Sequence, residues 1–153
     1  MEKNTSEILR ITDLTTEFRI PEGVVPAVNR VSFSLHAGET VCLVGESGCG
    51  KSVTALSIMR LIPDPTGRIV NGAIEFGGQN LLNLPEEAMR RIRGDQIAMI
   101  FQEPMTSLNP LFTVGDQIAE VYLEHTTQDR RSAWKSVQAI LGRVGIPEPG
   151  QRS

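Results

Sequence analysis

The feature that most constrains this sequence is the octapeptide GESGCGKS at residues 45–52, which directly follows the apolar run Thr40–Val44. It fits the pattern G-x-x-x-x-G-K-[ST], whose fixed positions are Gly45, Gly50, Lys51 and Ser52. That pattern requires a strand before the loop and a helix after it. Residues 40–44 predict a strand covered on both faces of a sheet, and the apolar residues within 53–61 predict a helix that Pro63 ends.

These residue types suit the binding of a polyphosphate. Backbone N–H groups in a tight loop can surround dense negative charge, and the start of a helix adds its positive end. Glycines leave room for that approach, Lys51 is expected to reach the β- and γ-phosphates, and Ser52 to offer its hydroxyl to Mg²⁺. The predicted nucleotide site comprises Gly45, Glu46, Ser47, Gly48, Cys49, Gly50, Lys51 and Ser52. A glycine-rich turn with an accidental lysine is the alternative, which chance produces on the order of once in a few hundred such chains.

Alternating and helical hydrophobic patterns predict the other elements. The predicted strands are Ile8–Phe18, Ala27–Leu35, Ala73–Phe76 and Gln96–Phe101, with a turn at Pro21–Gly23. The predicted helices are Pro85–Arg93, Val114–Glu124 and Asp129–Val144, followed by a loop at Ile146–Ser153. Pro85–Arg93 is interpreted as a solvated helix. The other two helices carry apolar stripes, formed by Ile118, Val121 and Tyr122 and by Trp134, Val137, Leu141 and Val144.

Composition excludes several classes of function. The net charge of −3 over 153 residues offers no basic face for nucleic acid. No apolar run approaches the roughly 20 residues needed to span a bilayer, and the N-terminus MEKNTSEILRIT lacks the apolar core of a secretory signal. Cys42 and Cys49 are interpreted as reduced thiols of a cytosolic protein.

A second motif carries a family resemblance. The phosphate loop together with IFQEPMTSLNP at residues 100–110 resembles the ATP-binding subunit of an ABC transporter. With FTVGDQI at residues 112–118, the chain is similar to the oligopeptide and dipeptide importer branch, which also includes importers of nickel and antimicrobial peptides. The resemblance extends from Ile8 to Arg152. It implies an α/β fold: the P-loop NTPase-like core of an ABC ATPase, with N-terminal antiparallel strands and a parallel sheet flanked by helices.

The resemblance also implies roles for particular residues. The chain would be the N-terminal part of a single ATP-binding domain, with strands and phosphate loop over about 8–102 and the Q-loop and first helical-subdomain residues over about 102–153. Gln102 matches the Q-loop glutamine, which contacts Mg²⁺ and the attacking water; Lys51 and Gln102 would be catalytic, and Ser52 and Gln102 would hold the metal. Family members stack adenine on an aromatic residue near the position of Glu22, where this chain has none. Phe18 is the nearest candidate, although it is equally explained as a strand core residue, and Arg19 or Ile20 are open alternatives.

The signature sequence of the LSGGQ type, the Asp-Glu strand end and the switch histidine of the family do not occur after Gln102. We therefore expect a chain truncated before the signature motif and poorly stable by itself, because parallel strands without neighbours expose their edges. The leading hypothesis is an ATPase subunit that energises peptide import when complete. The alternatives are a nucleotide-binding fragment without turnover, a subunit of an importer of nickel or another small solute, and a soluble ABC ATPase of DNA repair or translation. The importer-like motif and the lack of basic patches argue against the last.

The leading hypothesis implies ATP and Mg²⁺ as cofactors. It implies integral membrane permease subunits and a second ABC ATPase subunit, identical or different, as partners, with an extracytoplasmic solute-binding protein as an indirect one. The protein would lie peripherally on the cytoplasmic face of the inner membrane.

Overall fold

The computed structural model of the protein describes residues 6–102 and 107–150, and the backbone of residues 151 and 152. The chain divides into two compact units, Met1–Met89 and Arg90–Ser153. The part of the importer-like motif at residues 103–106 lies outside the described residues.

The first unit is built on an antiparallel sheet. Its elements are β1 (Glu7–Ile20), β2 (Gly23–His36), helix α1 (Lys51–Ile58), β3 (Gly67–Phe76), β4 (Gln79–Asn80) and a 3₁₀ turn (Leu81–Asn83). The strand order is β2-β1-β3-β4, and every neighbouring pair is antiparallel. The predicted strands Ile8–Phe18, Ala27–Leu35 and Ala73–Phe76 are confirmed, each lying within a longer strand. The turn predicted at Pro21–Gly23 is confirmed as well, because Ile20 pairs with Gly23.

A bulge in β1 sets which residues face the core. Leu9 and Ile11 are buried before it and Leu14 and Thr16 after it, so the alternation shifts by one residue between them. The register of β1 against β3 shifts over the same stretch, between Thr12 and Thr15. Such bulges increase the local twist and bend the strand. Here the bulge keeps both ends of β1 facing the same core.

Two predicted strands are not formed. Thr40–Val44 and Gln96–Phe101 pair with no strand among the described residues, apart from one isolated bridge between Arg93 and Ile97. Val44 is 92% exposed and Ile100 is 95% exposed. A strand buried on both faces needs a hydrogen-bonded neighbour at its edge, and no such neighbour lies beside either segment in the described ranges. The prediction of buried strands at these two positions is therefore wrong for this structure.

The remaining helices are α2 (Glu86–Ile92), α3 (Val114–His125), α4 (Arg130–Arg143) and α5 (Pro149–Arg152). Helix α2 carries the predicted acids in its first turn and bases in its last, but it is not wholly solvated, because Met89 and Ile92 are buried. Helix α5 lies where a loop was predicted, at residues 146–153; proline at its first position fits the start of a helix. In the described ranges no helix combines the length and the apolar character needed to cross a bilayer.

Helices α3 and α4 pack against each other in the second unit. Their core consists of Ala119, Val137 and Leu141, with Ile118, Tyr122 and Trp134 packed around it. The predicted stripes were therefore right except at their outer members, since Val121 is 52% exposed and Val144 is 68% exposed. Each helix begins with a side-chain cap: Thr113 accepts from Asp116 N, and Asp129 accepts from Ser132 N. Hydrogen bonding to Ser132 is also the main reason why the pKa of the Asp129 carboxyl is lowered.

Gly72 provides a test of the bulge. Its φ is +104°, and a Cβ there would lie 2.6 Å from Thr12 O and 2.7 Å from Leu14 Cα. We predict that Gly72→Ala lowers the free energy of unfolding by about 2–5 kcal/mol, from roughly 1–2 kcal/mol of backbone strain and roughly 1–3 kcal/mol of overlap. Urea unfolding of the chain measures the change.

The matched control is Gly77→Ala, at φ +55° in the β3–β4 turn, where a Cβ meets nothing within 4 Å. It should cost only the strain of about 1–2 kcal/mol. Equal losses in the two variants would contradict the role given to the bulge.

Candidate phosphate-binding site

The phosphate loop stands exposed at the start of α1. Residues 45–49 are exposed, whereas Gly50, the residue that precedes the helix, is buried. Gly50 has a φ of +94°, in the region that glycine adopts without strain. The loop therefore ends in a fixed, buried residue and offers its preceding backbone to solvent.

Gly50 is fixed by contact with the sheet. A Cβ at this position would overlap Ala27 O on β2 and lie 3.6 Å from Val28 Cγ2. Only glycine permits this approach, so Gly50, a fixed position of the motif, also packs against the sheet. The start of α1 thus rests directly on the backbone of β2.

The other glycines have separate roles. A Cβ at Gly45 would lie 2.5 Å from Cys49 Sγ, so this glycine makes room within the loop. Gly48 has open space around it but a φ of +83°, so its role is conformational. The turn between them is closed by a hydrogen bond from Cys49 N to Glu46 O at 3.3 Å.

Lys51 places its ammonium group over the loop. Its Nζ donates to Gly45 O at 2.8 Å and to Glu46 O at 2.7 Å, and it lies 3.5 Å from Cys49 Sγ. These bonds fold the side chain back along the loop and concentrate positive charge beside the exposed backbone.

The first turn of α1 has no side-chain acceptor, since its N-cap residue is Gly50. Helices α3 and α4, by contrast, are capped by Thr113 and Asp129. The first N–H groups of a helix have no partner within the helix and favour anions. Ser52 is exposed in this same turn, so a hydroxyl, an ammonium group and free amides meet at one loop. The chemistry of these donors fits a polyphosphate.

The buried face of α1 is polar, which the sequence pattern did not indicate. Thr54 and Ser57 are buried, whereas Leu56 and Ile58 are only half-buried. Thr54 Oγ1 donates to Gly50 O at 2.9 Å, and Ser57 Oγ bonds with Thr16 Oγ1 of β1 at 2.8 Å. The i, i+3 spacing of the two helical residues was the one signal that they share a face, and nothing in the sequence indicated Thr16.

Gln102 and Phe18 are the two site residues that the sequence predicts outside the loop. Gln102 is exposed in a bend that directly follows residues 96–101. Phe18 is half-buried, and its ring lies against Gly67 of β3, where a Cβ would come within 2.8 Å of Phe18 Cε1. Among the described residues no group of three His, Cys, Asp or Glu side chains could hold a metal ion.

Comparison with known proteins gives the family. The ABC transporter family matches residues 28–153. The chain is 48% identical to the dipeptide transport ATP-binding protein DppD of Bacillus subtilis, over 95% of this chain and 44% of that protein. It is 51% identical to a putative peptide import ATP-binding protein of Brucella ovis, over 95% of this chain and 45% of that protein. It is 46% identical to the oligopeptide transport ATP-binding protein OppD of Bacillus subtilis, over 96% of this chain and 41% of that protein. The chain thus spans less than half the length of these relatives.

Solved structures show the same fold. The dimeric bacterial ABC transporter cassette MJ0796 superposes with a TM-score of 0.76 at 21% identity, over 92% of this chain and 59% of that one. A dimeric post-hydrolysis state of the ATP-binding cassette MJ0796, bound to ADP and Pi, gives a TM-score of 0.72 at 21% identity, over 95% of this chain and 63% of that chain. The predicted α/β fold class, that of an ABC ATPase core, is confirmed. From its phosphate loop, its fold and its matched residues together, this chain belongs to the ABC transporter family.

Proposed function

We propose that the chain is the N-terminal, nucleotide-binding part of the ATP-binding subunit of a peptide importer, and that it binds ATP with Mg²⁺ at residues 45–52. One observation carries the proposal: the Lys51 ammonium and the uncapped first turn of α1 meet at one exposed glycine loop. The names of the relatives, which are dipeptide and oligopeptide transport ATP-binding proteins, support the peptide assignment.

Each residue of the loop has a distinct task in this proposal. The backbone N–H groups from Gly45 to Gly50 surround the phosphates, and Lys51 neutralises charge on the β- and γ-phosphates. Ser52 offers its hydroxyl oxygen to the metal, a hard donor of the kind that Mg²⁺ takes. When bound, ATP with Mg²⁺ would supply the phosphoryl group whose transfer energises import in the intact protein. Holding this group in place needs charge and orientation rather than covalent chemistry by the protein.

Binding through Lys51 is tested by Lys51→Ala. The variant removes a charged donor, and a hydrogen bond to a charged group contributes roughly 1.5–3 kcal/mol, so the Kd for MgATP should rise about 10- to 100-fold. Isothermal titration calorimetry measures it. Lys135→Ala removes an exposed lysine on α4, far along the chain from the loop, and should leave the Kd unchanged. An unchanged Kd in Lys51→Ala would contradict the proposed site.

The proposed binding of Mg²⁺ by Ser52 is tested by removing its hydroxyl group. In the wild-type chain we expect Mg²⁺ to strengthen ATP binding, and in Ser52→Ala we expect most of that gain to be lost. Ser52→Thr keeps the hydroxyl, as the motif allows, and should keep the gain. Titrations of ATP with and without Mg²⁺ give the comparison, and a full Mg²⁺ effect in Ser52→Ala would remove Ser52 from the metal site.

Three further assignments belong to the proposal. The chain is the N-terminal part of a single ATP-binding domain, with the phosphate-loop core up to about residue 102. Gln102 contacts the metal and the attacking water in the intact protein; its neutral amide and its exposure in a bend are consistent with this role. Phe18 stays a candidate for contact with adenine, and its packing on Gly67 supports the alternative core role.

The partners in the proposal are integral membrane permease subunits and a second ATP-binding subunit, at the cytoplasmic face of the membrane. Purification of the full-length protein tests this. Co-purification of an integral membrane protein supports the importer, whereas a membrane-free protein that binds nucleic acid would favour the soluble ABC ATPase of DNA repair or translation.

A second candidate is nucleotide binding without turnover by these 153 residues. No Asp-Glu pair follows Gln102 in the sequence, so the chain offers no acid of the family type to polarise an attacking water. We predict that the 153-residue chain hydrolyses ATP no faster than Lys51→Ala. Multiple turnovers that disappear in Lys51→Ala, followed by phosphate release, would contradict the prediction.

A further inference from the structure

A fully buried polar pair connects α1 to the sheet. Thr16 of β1 and Ser57 of α1 are both 0% exposed, and their hydroxyl oxygens lie 2.8 Å apart. Ser57 Oγ also lies 2.7 Å from Val53 O, to which it donates its one hydrogen. The proton between the two hydroxyls therefore belongs to Thr16, which donates to Ser57.

This pair is one of two fixed points on α1. The other is Gly50, whose backbone rests on Ala27 O of β2. Gly50 and Ser57 are seven residues apart, roughly 10 Å along a helix. Two attachments to different strands determine the direction of a short rigid helix, and with it the direction of its first N–H groups.

The hydrogen bond restricts α1 in a way that apolar contact does not. Apolar packing tolerates small rotations, whereas a buried hydrogen bond is directional and costly to leave unmade. The inward-facing helical side chains that could hold the rotation are Thr54, bonded to Gly50 O within the helix, and Ser57, bonded to the sheet. Thr16 is thus the group through which β1 sets the rotation of α1.

We propose that Thr16 and Ser57 are positioning residues for the phosphate loop: their hydrogen bond aims the first turn of α1, and with it Lys51 and Ser52, at the polyphosphate. Neither touches the nucleotide. This inference rests on the proposed binding of MgATP by residues 45–52. It adds that affinity depends on a buried hydroxyl one strand away from the loop.

The test replaces the hydroxyl of Thr16 in the 153-residue chain. Thr16→Val keeps the shape of the side chain and removes the donor, and should weaken MgATP binding about fivefold, the effect of losing one hydrogen bond. Thr16→Ser keeps the donor and should restore the wild-type Kd. Ile74→Val removes one buried methylene from β3, for a loss of stability similar to that of Thr16→Val, and should not change the Kd.

Hydrogen exchange gives a second readout that needs no nucleotide. Thr16→Val should speed exchange of the α1 amides from Thr54 to Ile58, whereas Ile74→Val should not. Equal effects of the two variants on Kd and exchange would reduce Thr16 to an ordinary stabilising residue, and so would a Thr16→Val variant that behaves like wild type. A wild-type chain without affinity for MgATP would overturn the proposed function instead, and the positioning of α1 would then be decided by exchange alone.

Discussion

The close approach of Gly50 to Ala27 is the contact on which the site depends. It brings the backbone of the phosphate loop onto the backbone of β2, at a distance that excludes any side chain at position 50. Because Gly50 is also the residue before α1, this one contact fixes where the helix begins. The exposed loop and the positions of Lys51 and Ser52 follow from that starting point.

The predicted strands fall into two groups, those that are formed and those that are absent. The two groups require different neighbouring strands. β1 and β2 are joined by a two-residue turn, and β3 and β4 by Gly77 and Gly78. The long-range pairing of β1 with β3 joins these two hairpins, and both of its strands lie within the described residues. Parallel strands instead need a neighbour that a long crossover brings back. Thr40–Val44 and Gln96–Phe101 were predicted as strands, and the described residues include no neighbouring strand for either. Without neighbouring strands their apolar side chains are left exposed, as at Val44 and Ile100.

The same distinction explains how much could be predicted from the sequence. The strands β1, β2 and β3 and the glycine loop have local sequence signals, and the sequence predicted them. The helical stripes include the residues that form the core of α3 and α4, but periodicity does not say where the buried surface ends, and the stripe residues Val121 and Val144 are exposed. The Thr16–Ser57 bond joins residues 41 positions apart. No local pattern in one sequence marks such a pair, because serine and threonine at these positions equally suit a solvated face.

The unpaired state of Thr40–Val44 also separates two contributions to the shape of the phosphate loop. The segment before the loop has no strand ladder, yet the loop has its turn, its left-handed glycines and its lysine in place. Gly50 on Ala27, the Thr54 bond to Gly50 O, and the Lys51 bonds to Gly45 O and Glu46 O all act from the helical side. The loop is therefore shaped by α1 and the antiparallel sheet beneath it. Pairing of the preceding strand would orient the loop within a larger sheet rather than create its geometry.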